Sequence, residues 1–413
     1  MELLCKVQTY DWGSRDPNCH VHQLSRKNDP TRAAESITGG KLDRPHAEIW
    51  IGTHINGPSV LKENGKLLSE YITENPESVG EKTKEGFGVQ LPFLLKVLSV
   101  SKPLSIQAHP LKAHAEELHA KFPDIYKDPN HKPEMLITLS KFLMLRGFRP
   151  VSDIKNYLQS VPELRDVLGA DSADFLASCD SETAQAALKQ AYRSLMTASD
   201  EKVSHCLNQI LSRVSTLDEA TRGACLADLL EKLHSHFPGD VGCLSVYFLQ
   251  DYEMAPGEAA FLPANLIHAY IEGECIELMA CSDNVVRGGL TPKLKDVDTL
   301  CSMLEYEPAD NSANMDVLKL TENCTKYIPH GIKDFSILNI MLKKGDPVTT
   351  VVSNGGPTVV LSLGSALYSV DNGPKLTLQQ GQALFIKASQ TLNLHPDPEQ
   401  EAIAQVVVAQ CNF

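Results

Sequence analysis

Asn265–Lys293, the stretch NLIHAYIEGECIELMACSDNVVRGGLTPK, decides the predicted fold of this chain. Its apolar residues predict a buried β-strand, in which His268 and Tyr270 lie two positions apart and share one face. Further polar groups interrupt the apolar run: Glu277, Asp283, Arg287 and Lys293. Each would cost ~1–3 kcal/mol or more if it were buried without a partner. This density of polar groups favours a functional site over the simpler alternative, a core strand whose histidine only satisfies a backbone group.

The composition describes a globular chain of about two or three domains, with 413 residues of which 42% are hydrophobic and 22% charged. The net charge of −14 argues against nucleic acid and anionic membranes as partners. No apolar run approaches the ~18–20 residues of a transmembrane helix, and the N-terminal MELLCKVQTYDW lacks the features of a signal peptide. The 11 cysteines have no paired spacing and predict reduced, buried thiols. We therefore expect a monomeric protein of the cytoplasm.

A second strand is predicted over Leu104–His109, where apolar and polar residues alternate strictly. Ser105, Gln107 and His109 share one face, which lies either at the surface or along a pocket, and Pro110 ends the strand. Lys96 lies in the apolar run that begins at residue 91. Burial of its charged ammonium is unfavourable unless the ammonium contacts an anion or reaches solvent.

A loop over Tyr126–Glu134 has the sequence YKDPNHKPE. Its two prolines restrict the backbone around Lys132 and Glu134, which suits a loop that binds a ligand, although a solvated turn is the alternative. Two tryptophans lie nearer the N-terminus: Trp50 is interpreted as core packing, and Trp12 as either pocket wall or packing.

The chain changes character after residue 150, where apolar residues recur at helical spacing up to residue 237. This predicts a helical insertion whose histidines, His205, His234 and His236, lie at the surface, with strand resuming at 242–249. We expect a catalytic domain formed by 1–149 and 239–310, a helical domain over 150–238, and a C-terminal β-sandwich over 311–413. A weak repeat aligns Gly257–Ala264 with Gly381–Ala388 and puts Leu392 opposite His268, so the C-terminal sandwich is expected to lack the metal ligand.

Four of these side chains form a possible metal-ligand set with two nitrogens, one carboxylate and one amide oxygen: Gln107, His109, Glu134 and His268. A set without thiolate suits zinc or another borderline divalent ion that acts as a Lewis acid on a carbonyl or hydroxyl oxygen. The sequence spacing alone makes this assignment only moderately specific.

Longer motifs resemble a known family. Gly257–His268 has the glycine, proline and histidine spacing of a cupin motif, while Tyr126–Glu134 and His268–Lys293 are similar to the two signatures of the type I mannose-6-phosphate isomerases. Ser105–Pro110 and Ala47–Thr53 resemble other segments of that family. The similarity spans the chain, including the insertion, and is to the eukaryotic form.

The resemblance implies a mainly β fold with an α insertion: a cupin-type jelly-roll catalytic domain, a helical domain and a second, degenerate jelly roll. It implies interconversion of mannose 6-phosphate and fructose 6-phosphate through a cis-enediol, a reaction that feeds GDP-mannose synthesis. By resemblance the chain binds one zinc ion through Gln107, His109, Glu134 and His268, and Arg287 is the catalytic residue.

The remaining roles are hypotheses from chemistry and proximity. The proton carrier is expected among four side chains, with the first two favoured: Glu277, Lys132, Tyr270 and Asp283. The expected contacts to the phosphate come from Ser105, Lys96 and Lys293. Trp12 is expected in the pocket wall, and His54 is a candidate for assisting ring opening.

Two alternatives stay open. A cupin iron dioxygenase would use His109, Glu134 and His268 as a two-histidine, one-carboxylate set, although the added glutamine and the basic residues argue against it. A non-catalytic sugar-binding cupin would have no need for the clustered cations and Glu277.

Overall fold

The computed structural model describes residues 1–31, 35–308 and 314–413. Within these ranges the helices are α1 (His20–Asn28), α2 (Leu68–Glu74), α3 (Glu81–Phe87), α4 (Lys112–Lys121), α5 (Val151–Ser160), α6 (Glu163–Leu168), α7 (Ala170–Ser178), α8 (Ala184–Met196), α9 (Asp200–Val214), α10 (Glu219–Ala224), α11 (Ala227–His236) and α12 (Val297–Met303), with 3-10 helices at Pro76–Val79 and Val241–Tyr247. The strands are β1 (Glu2–Leu4), β2 (Lys6–Gln8), β3 (Ile37–Thr38), β4 (Lys41–Leu42), β5 (Glu48–Ile51), β6 (Val60–Leu61), β7 (Phe93–Val100), β8 (Ile106–Ala108), β9 (Glu134–Thr138), β10 (Phe142–Phe148), β11 (Leu249–Met254), β12 (Ala259–Leu262), β13 (His268–Ala280), β14 (Val286–Gly289), β15 (Met315–Thr321), β16 (Cys324–Pro329), β17 (Ser336–Leu342), β18 (Thr349–Val351), β19 (Thr358–Ser362), β20 (Ala366–Val370), β21 (Leu376–Leu378), β22 (Ala383–Ile386), β23 (Leu392–His395) and β24 (Ala404–Gln410).

The fold is mainly β with a helical insertion, as predicted, and β13 is its central strand. The first part of β13 pairs with β8 and β10, and its second part pairs with β7 and β9, within one ten-stranded sheet. Two features separate the two parts of β13. The pairing with β10 is irregular and skips Ile271, and Gly273 has a φ of +118°. A Cβ at Gly273 would stand 2.5 Å from the backbone oxygen of Lys141, so only glycine fits this bend. The strand therefore passes from one wall of the jelly roll to the other.

The two faces of the β7–β13–β9 wall have different neighbours. Leu95, Val97 and Ile276 pack with residues of the eight-stranded C-terminal sheet, among them Val359 and Phe385, in one apolar core. The opposite face carries Lys96, Glu134 and Glu277 between apolar residues and points into the jelly roll. Strand alternation thus separates the apolar interface from the polar interior.

The helices α5–α11 form the insertion and share one core with the outer face of the other wall. Leu188, Leu207 and Leu230 belong to the same apolar cluster as Ala269 and Ile271 of β13. The side chains of Ser199 and Asp218 cap α9 and α10. The predicted strand at 242–249 is wrong over most of its length, because Val241–Tyr247 is a fully buried 3-10 helix and β11 begins only at Leu249. A short apolar run does not by itself distinguish the two states.

The C-terminal strands form a second sandwich, an eight-stranded sheet facing a four-stranded one. The N-terminal β1 and β6 also belong to the larger sheet, since β1 pairs with both β22 and β6. This pairing was not predicted from the sequence. The aligned repeat segments contain β12 and β22, and the strands that follow begin at His268 and Leu392. The predicted boundary at 310 and 311 lies outside the described residues.

The predicted thiols are free, and all but Cys281 are buried. None of the helices in the described ranges is long and apolar enough to cross a membrane.

Candidate active site

A cavity of about 620 Å³ opens between the walls of the first jelly roll, and residues from strands, loops and the end of the insertion line it. All of the side chains singled out in the sequence analysis as site residues line this cavity except His109 and His268, which are fully buried. The lining residues among them are Trp12, His54, Lys96, Ser105, Gln107, Lys132, Glu134, Tyr270, Glu277, Asp283, Arg287 and Lys293.

Three of the predicted metal ligands form a compact cluster at the cavity floor. His109 Nε2 lies 3.3 Å from Glu134 Oε1, and His268 Nε2 lies 3.3 Å from Glu134 Oε2. The two imidazole rings stand 5.1 Å apart, and the three ligand atoms lie within 4.8 Å of one another. Among the described residues, both Nε2 atoms and Glu134 Oε2 are buried without a hydrogen-bond partner. Buried polar atoms that converge in this way fit a divalent metal ion.

Hydrogen bonds to the backbone orient both imidazoles. His109 Nδ1 lies 2.7 Å from the carbonyl oxygen of Asn284, and His268 Nδ1 lies 2.9 Å from that of Leu266. Since carbonyl oxygens only accept, each Nδ1 carries the proton and each Nε2 directs a lone pair into the cluster. The Asn284 side chain donates to the backbone oxygens of Asp128 and Asn130. These two hydrogen bonds connect Asn284 to the proline-containing loop over residues 126–134.

The charges of the cluster also suit a cation. Burial lowers the pKa of His109 to about 4, so its imidazole is neutral and able to act as a ligand. Burial alone would raise the pKa of Glu134, but the nearby Lys132 ammonium opposes this effect, and the pKa lies well below the usual value. Lys132 Nζ lies 3.1 Å from Glu134 Oε1.

Strand register brings Gln107 and Arg287 beside the cluster. Gln107 on β8 is paired with His268 on one side and with Arg287 of β14 on the other. Within the described residues, Arg287 makes no ion pair, and burial lowers the pKa of its guanidinium. A half-buried cation that faces a cavity without a carboxylate partner is available to an anionic ligand.

A cross-strand row on the opposite wall holds a buried ion network. Lys96 of β7 is in register with Trp50 of β5 and with Glu277 of β13. Its ammonium lies 3.2 Å from Glu277 Oε2, 3.6 Å from Glu48 Oε2 and 5.0 Å from the centre of the Trp50 ring. Burial disfavours the charge, but Glu48 and Glu277 raise the pKa of Lys96 above its ordinary value. The ammonium therefore already has two anionic partners.

Glu277 is held in a defined orientation by Tyr270, whose hydroxyl donates to Glu277 Oε1 at 2.8 Å. Burial, aided by the Glu134 carboxylate, raises the pKa of Glu277 despite the opposing effect of Lys96. Burial and Glu277 raise the pKa of Tyr270 well above 10, so the phenol keeps its proton. The pKa of the Glu277 carboxyl group is thus shifted from its ordinary value toward neutral pH.

The other predicted residues lie around the cavity rim. His54 Nε2 is 3.3 Å from Asp283 Oδ1, and this hydrogen bond lowers the pKa of Asp283. Ser105 is half-buried beside Gln107, and Lys293 is exposed and makes no ion pair within the described ranges. Trp12 is half-buried in the cavity wall, where its ring contacts Tyr10.

Comparison with known proteins identifies the family. The family model of the "Phosphomannose isomerase type I, catalytic domain" matches residues 1–151. The family model of the "Phosphomannose isomerase type I, helical insertion domain" matches residues 166–249. The mannose-6-phosphate isomerase of Homo sapiens is 40% identical over 408 residues, which cover 95% of this chain and 94% of the relative. The chain belongs to the type I phosphomannose isomerases.

Other similar proteins agree with this assignment to the type I phosphomannose isomerases. The mannose-6-phosphate isomerase of Macaca fascicularis is 40% identical over 406 residues, covering 95% of this chain and 94% of the relative. The crystal structure of a zinc-bound mannose 6-phosphate isomerase superimposes with a TM-score of 0.82 at 28% identity, and covers 100% of this chain and 99% of that one.

Two cavity residues, Glu48 and Trp50, were missed as site residues. Trp50 is buried, as core packing requires, but it also lines the cavity, contacts His54 edge-on and donates through Nε1 to Glu48. The available signal was the alternation Glu48-Ile49-Trp50-Ile51, which puts a carboxylate and an indole on one face of an otherwise apolar strand. The partner of that carboxylate, Lys96, comes from a distant strand.

Proposed function

We propose that this chain catalyses the interconversion of mannose 6-phosphate and fructose 6-phosphate. The observation that carries the proposal is one cavity with a metal-ligand cluster on its floor and a buried carboxyl group of raised pKa on one wall. The other wall carries a guanidinium that makes no ion pair within the described residues. An aldose–ketose isomerisation needs these parts, because a proton moves between C1 and C2 while negative charge develops on the two neighbouring oxygens.

His109, His268 and Glu134 would hold a zinc ion, with Gln107 as the fourth protein ligand. The orientation of both Nε2 atoms and the absence of thiolates support zinc at this position. A bound zinc ion supplies Lewis-acid polarisation of a carbonyl or hydroxyl oxygen of the sugar. One ion per chain is proposed for this site.

Glu277 is the proposed proton carrier. In the direction from aldose to ketose, its carboxylate takes the proton from C2 of the open-chain sugar and its carboxyl returns a proton to C1 of the cis-enediol, while the hydroxyl proton of O2 passes to O1. Tyr270 fixes the carboxylate through the 2.8 Å hydrogen bond, and its own raised pKa makes it a positioning group rather than a base. Lys96, at 3.2 Å, stabilises the ionised form of Glu277.

Arg287 and Lys132 supply positive charge to the reacting end. The Arg287 guanidinium has no carboxylate partner among the described residues and is proposed to stabilise the charge on O1 and O2 of the enediolate. The Lys132 ammonium forms an ion pair with the Glu134 carboxylate at 3.1 Å. Lys132 is therefore less well supported as the proton carrier than Glu277.

The phosphate is proposed to bind to Ser105 and Lys293, which both line the cavity. The Ser105 hydroxyl is a donor, and the ammonium of Lys293 lacks an ion-pair partner in the described part of the chain. Lys96 is a weaker candidate than the sequence analysis proposed, because Glu48 and Glu277 already neutralise it. His54, paired with Asp283, is proposed to assist ring opening, with Trp12 as a wall for the sugar.

A coupled assay tests the function directly: mannose 6-phosphate is supplied, and fructose 6-phosphate is measured with and without chelator. We expect turnover that chelation abolishes and zinc restores. Oxygen uptake with bound iron would instead support the dioxygenase alternative, and sugar binding without turnover would support a binding protein.

The oligomeric state, the cellular location and the range of partners are proposed from the composition of the chain. The net charge of −14 and free thiols support a monomeric enzyme of the cytoplasm that binds neither nucleic acid nor membrane. Light scattering and fractionation of cells test these two statements.

A further inference from the structure

A second cluster of metal-ligand side chains lies near the N-terminus, outside the active cavity. It consists of His22 on α1, Glu35, and His46 shortly before β5, and the ligand atoms lie within 4.8 Å of one another. His46 Nε2 is 2.5 Å from Glu35 Oε2, and His22 Nδ1 is 3.4 Å from His46 Nε2 and 3.5 Å from Glu35 Oε2. Both imidazoles are buried, and the side chain of Glu35 is only 12% exposed.

The hydrogen bonds around this cluster orient the side chains of His46 and Glu35. His46 Nδ1 lies 3.3 Å from the backbone oxygen of Arg44, so Nδ1 carries the proton and Nε2 directs its lone pair toward Glu35. The Arg44 guanidinium binds Glu35 Oε1 at 2.7 Å, which leaves Oε2 for the two imidazoles. Among the described residues, Glu35 Oε2 is buried and accepts no hydrogen bond. A lone pair and a carboxylate oxygen 2.5 Å apart repel unless a proton lies between them or a metal ion lies beside them.

The floor of the active cavity has a related arrangement. There each imidazole donates through Nδ1 to a backbone carbonyl and presents Nε2 to a shared carboxylate, whereas in the N-terminal cluster His46 presents Nε2 and His22 presents Nδ1. The two clusters therefore offer the same donor set, two imidazole nitrogens and one carboxylate.

The N-terminal cluster is also accessible to a small cation. A cleft of about 800 Å³ reaches Glu35 and His46 and is lined by further acidic side chains, Asp29 and Asp43. The Arg44 guanidinium, which also lines this cleft, forms an ion pair with the Glu35 carboxylate.

We propose that His22, Glu35 and His46 bind a second divalent metal ion of the borderline class that zinc represents. The bound ion would connect α1 to the segment that leads into β5. This proposal rests on the N-terminal residues alone and does not depend on the isomerase activity.

Zinc binding to the full-length protein tests the proposal. Metal-free protein is titrated with zinc ions in a calorimeter, and zinc retained after gel filtration is measured by mass spectrometry. We expect two equivalents for the unmodified chain and one each for Glu35→Gln and His46→Gln, with isomerase activity unchanged in both variants. His268→Ala should also bind one equivalent but lose activity, and the double variant His46→Gln/His268→Ala should bind none.

A matched control is His205→Gln, which removes an exposed histidine from α9 and should keep two equivalents. If His46→Gln does not fold, Glu35→Gln decides, since Glu35 lines the cleft and glutamine preserves the size of its side chain. Zinc contents of Glu35→Gln and His46→Gln equal to that of the unmodified chain would overturn the proposal. So would a single equivalent that only His268→Ala removes, because a proton shared by His46 and Glu35 would then take the place of the metal.

Discussion

Replacing Glu277 with glutamine removes the proposed proton carrier while preserving the size of the side chain. Glutamine can still accept the hydrogen bond from Tyr270, which spans 2.8 Å to Glu277. Lys96 loses one anionic partner at 3.2 Å but keeps Glu48 at 3.6 Å, so its buried charge is not left unpaired. We therefore expect Glu277→Gln to fold and to bind zinc like the unmodified chain.

The expected loss of activity is large and falls on turnover. A positioned acid–base group contributes ~10²–10⁴-fold, which corresponds to ~3–5 kcal/mol of transition-state stabilisation. kcat should fall by that factor, while KM should change by about threefold or less, because glutamine fills the same space. The matched control, Tyr270→Phe, removes only the orienting hydrogen bond and should reduce kcat by about tenfold.

The assay combines coupled turnover of mannose 6-phosphate with exchange of the C2 proton in deuterated solvent. Burial raises the pKa of Glu277, so the base form is lost as pH falls through this raised pKa. kcat/KM of the unmodified enzyme should therefore decline on the acid side at a pH above the ~4.3 of an ordinary glutamate, and this decline should be absent in Glu277→Gln. Turnover within tenfold of normal, with full zinc content, would refute the role of Glu277 and make Lys132 the next candidate.

Further variants test the remaining roles. Arg287→Ala should keep zinc and fold but reduce kcat by ~10²-fold or more; a kcat within a few-fold of normal would leave it at most a binding role. Ser105→Asp should raise KM strongly or abolish activity, because two like charges ~4 Å apart repel by roughly 4 kcal/mol at an effective dielectric of about 20, whereas Ser105→Ala should cost only ~1 kcal/mol in binding. Both Ser105 variants should retain zinc, and a near-normal KM for Ser105→Asp would exclude Ser105 from the phosphate site. His268→Ala and Gln107→Ala should both lose active-site zinc, the histidine variant more severely; elemental analysis that finds no deficit in His268→Ala contradicts the ligand set. Changing His205, His234 and His236 of the insertion together to Gln should leave activity and zinc content unaltered, and a zinc deficit would mean that the site is misplaced.

The sequence alone was sufficient for features that depend on local periodicity. Alternation on Leu104–His109 directs Gln107 and Ser105 into the cavity. The rigidity that the prolines of the 126–134 loop indicate stays a prediction. The helical spacing after residue 150 likewise predicts helices, because each such helix buries one apolar stripe. The long family motifs added the identity of the fold and the expected ligand set.

The tertiary structure decided how these local elements meet. On a straight strand, Tyr270 and Glu277 would face opposite sides, since they lie an odd number of residues apart. The irregularity beside Ile271 and the bend at Gly273 reverse the alternation, so that the Tyr270 hydroxyl reaches Glu277 at 2.8 Å.

Pairing between distant strands was equally beyond the sequence. Lys96 required an anionic partner, but only the register of β5, β7 and β13 identifies Glu48 and Glu277 as those partners. The same holds for His22, Glu35 and His46, which come together through the packing of α1 against the segment before β5. Periodicity specifies which face a side chain occupies, whereas the choice of neighbour depends on contacts between residues far apart in the chain.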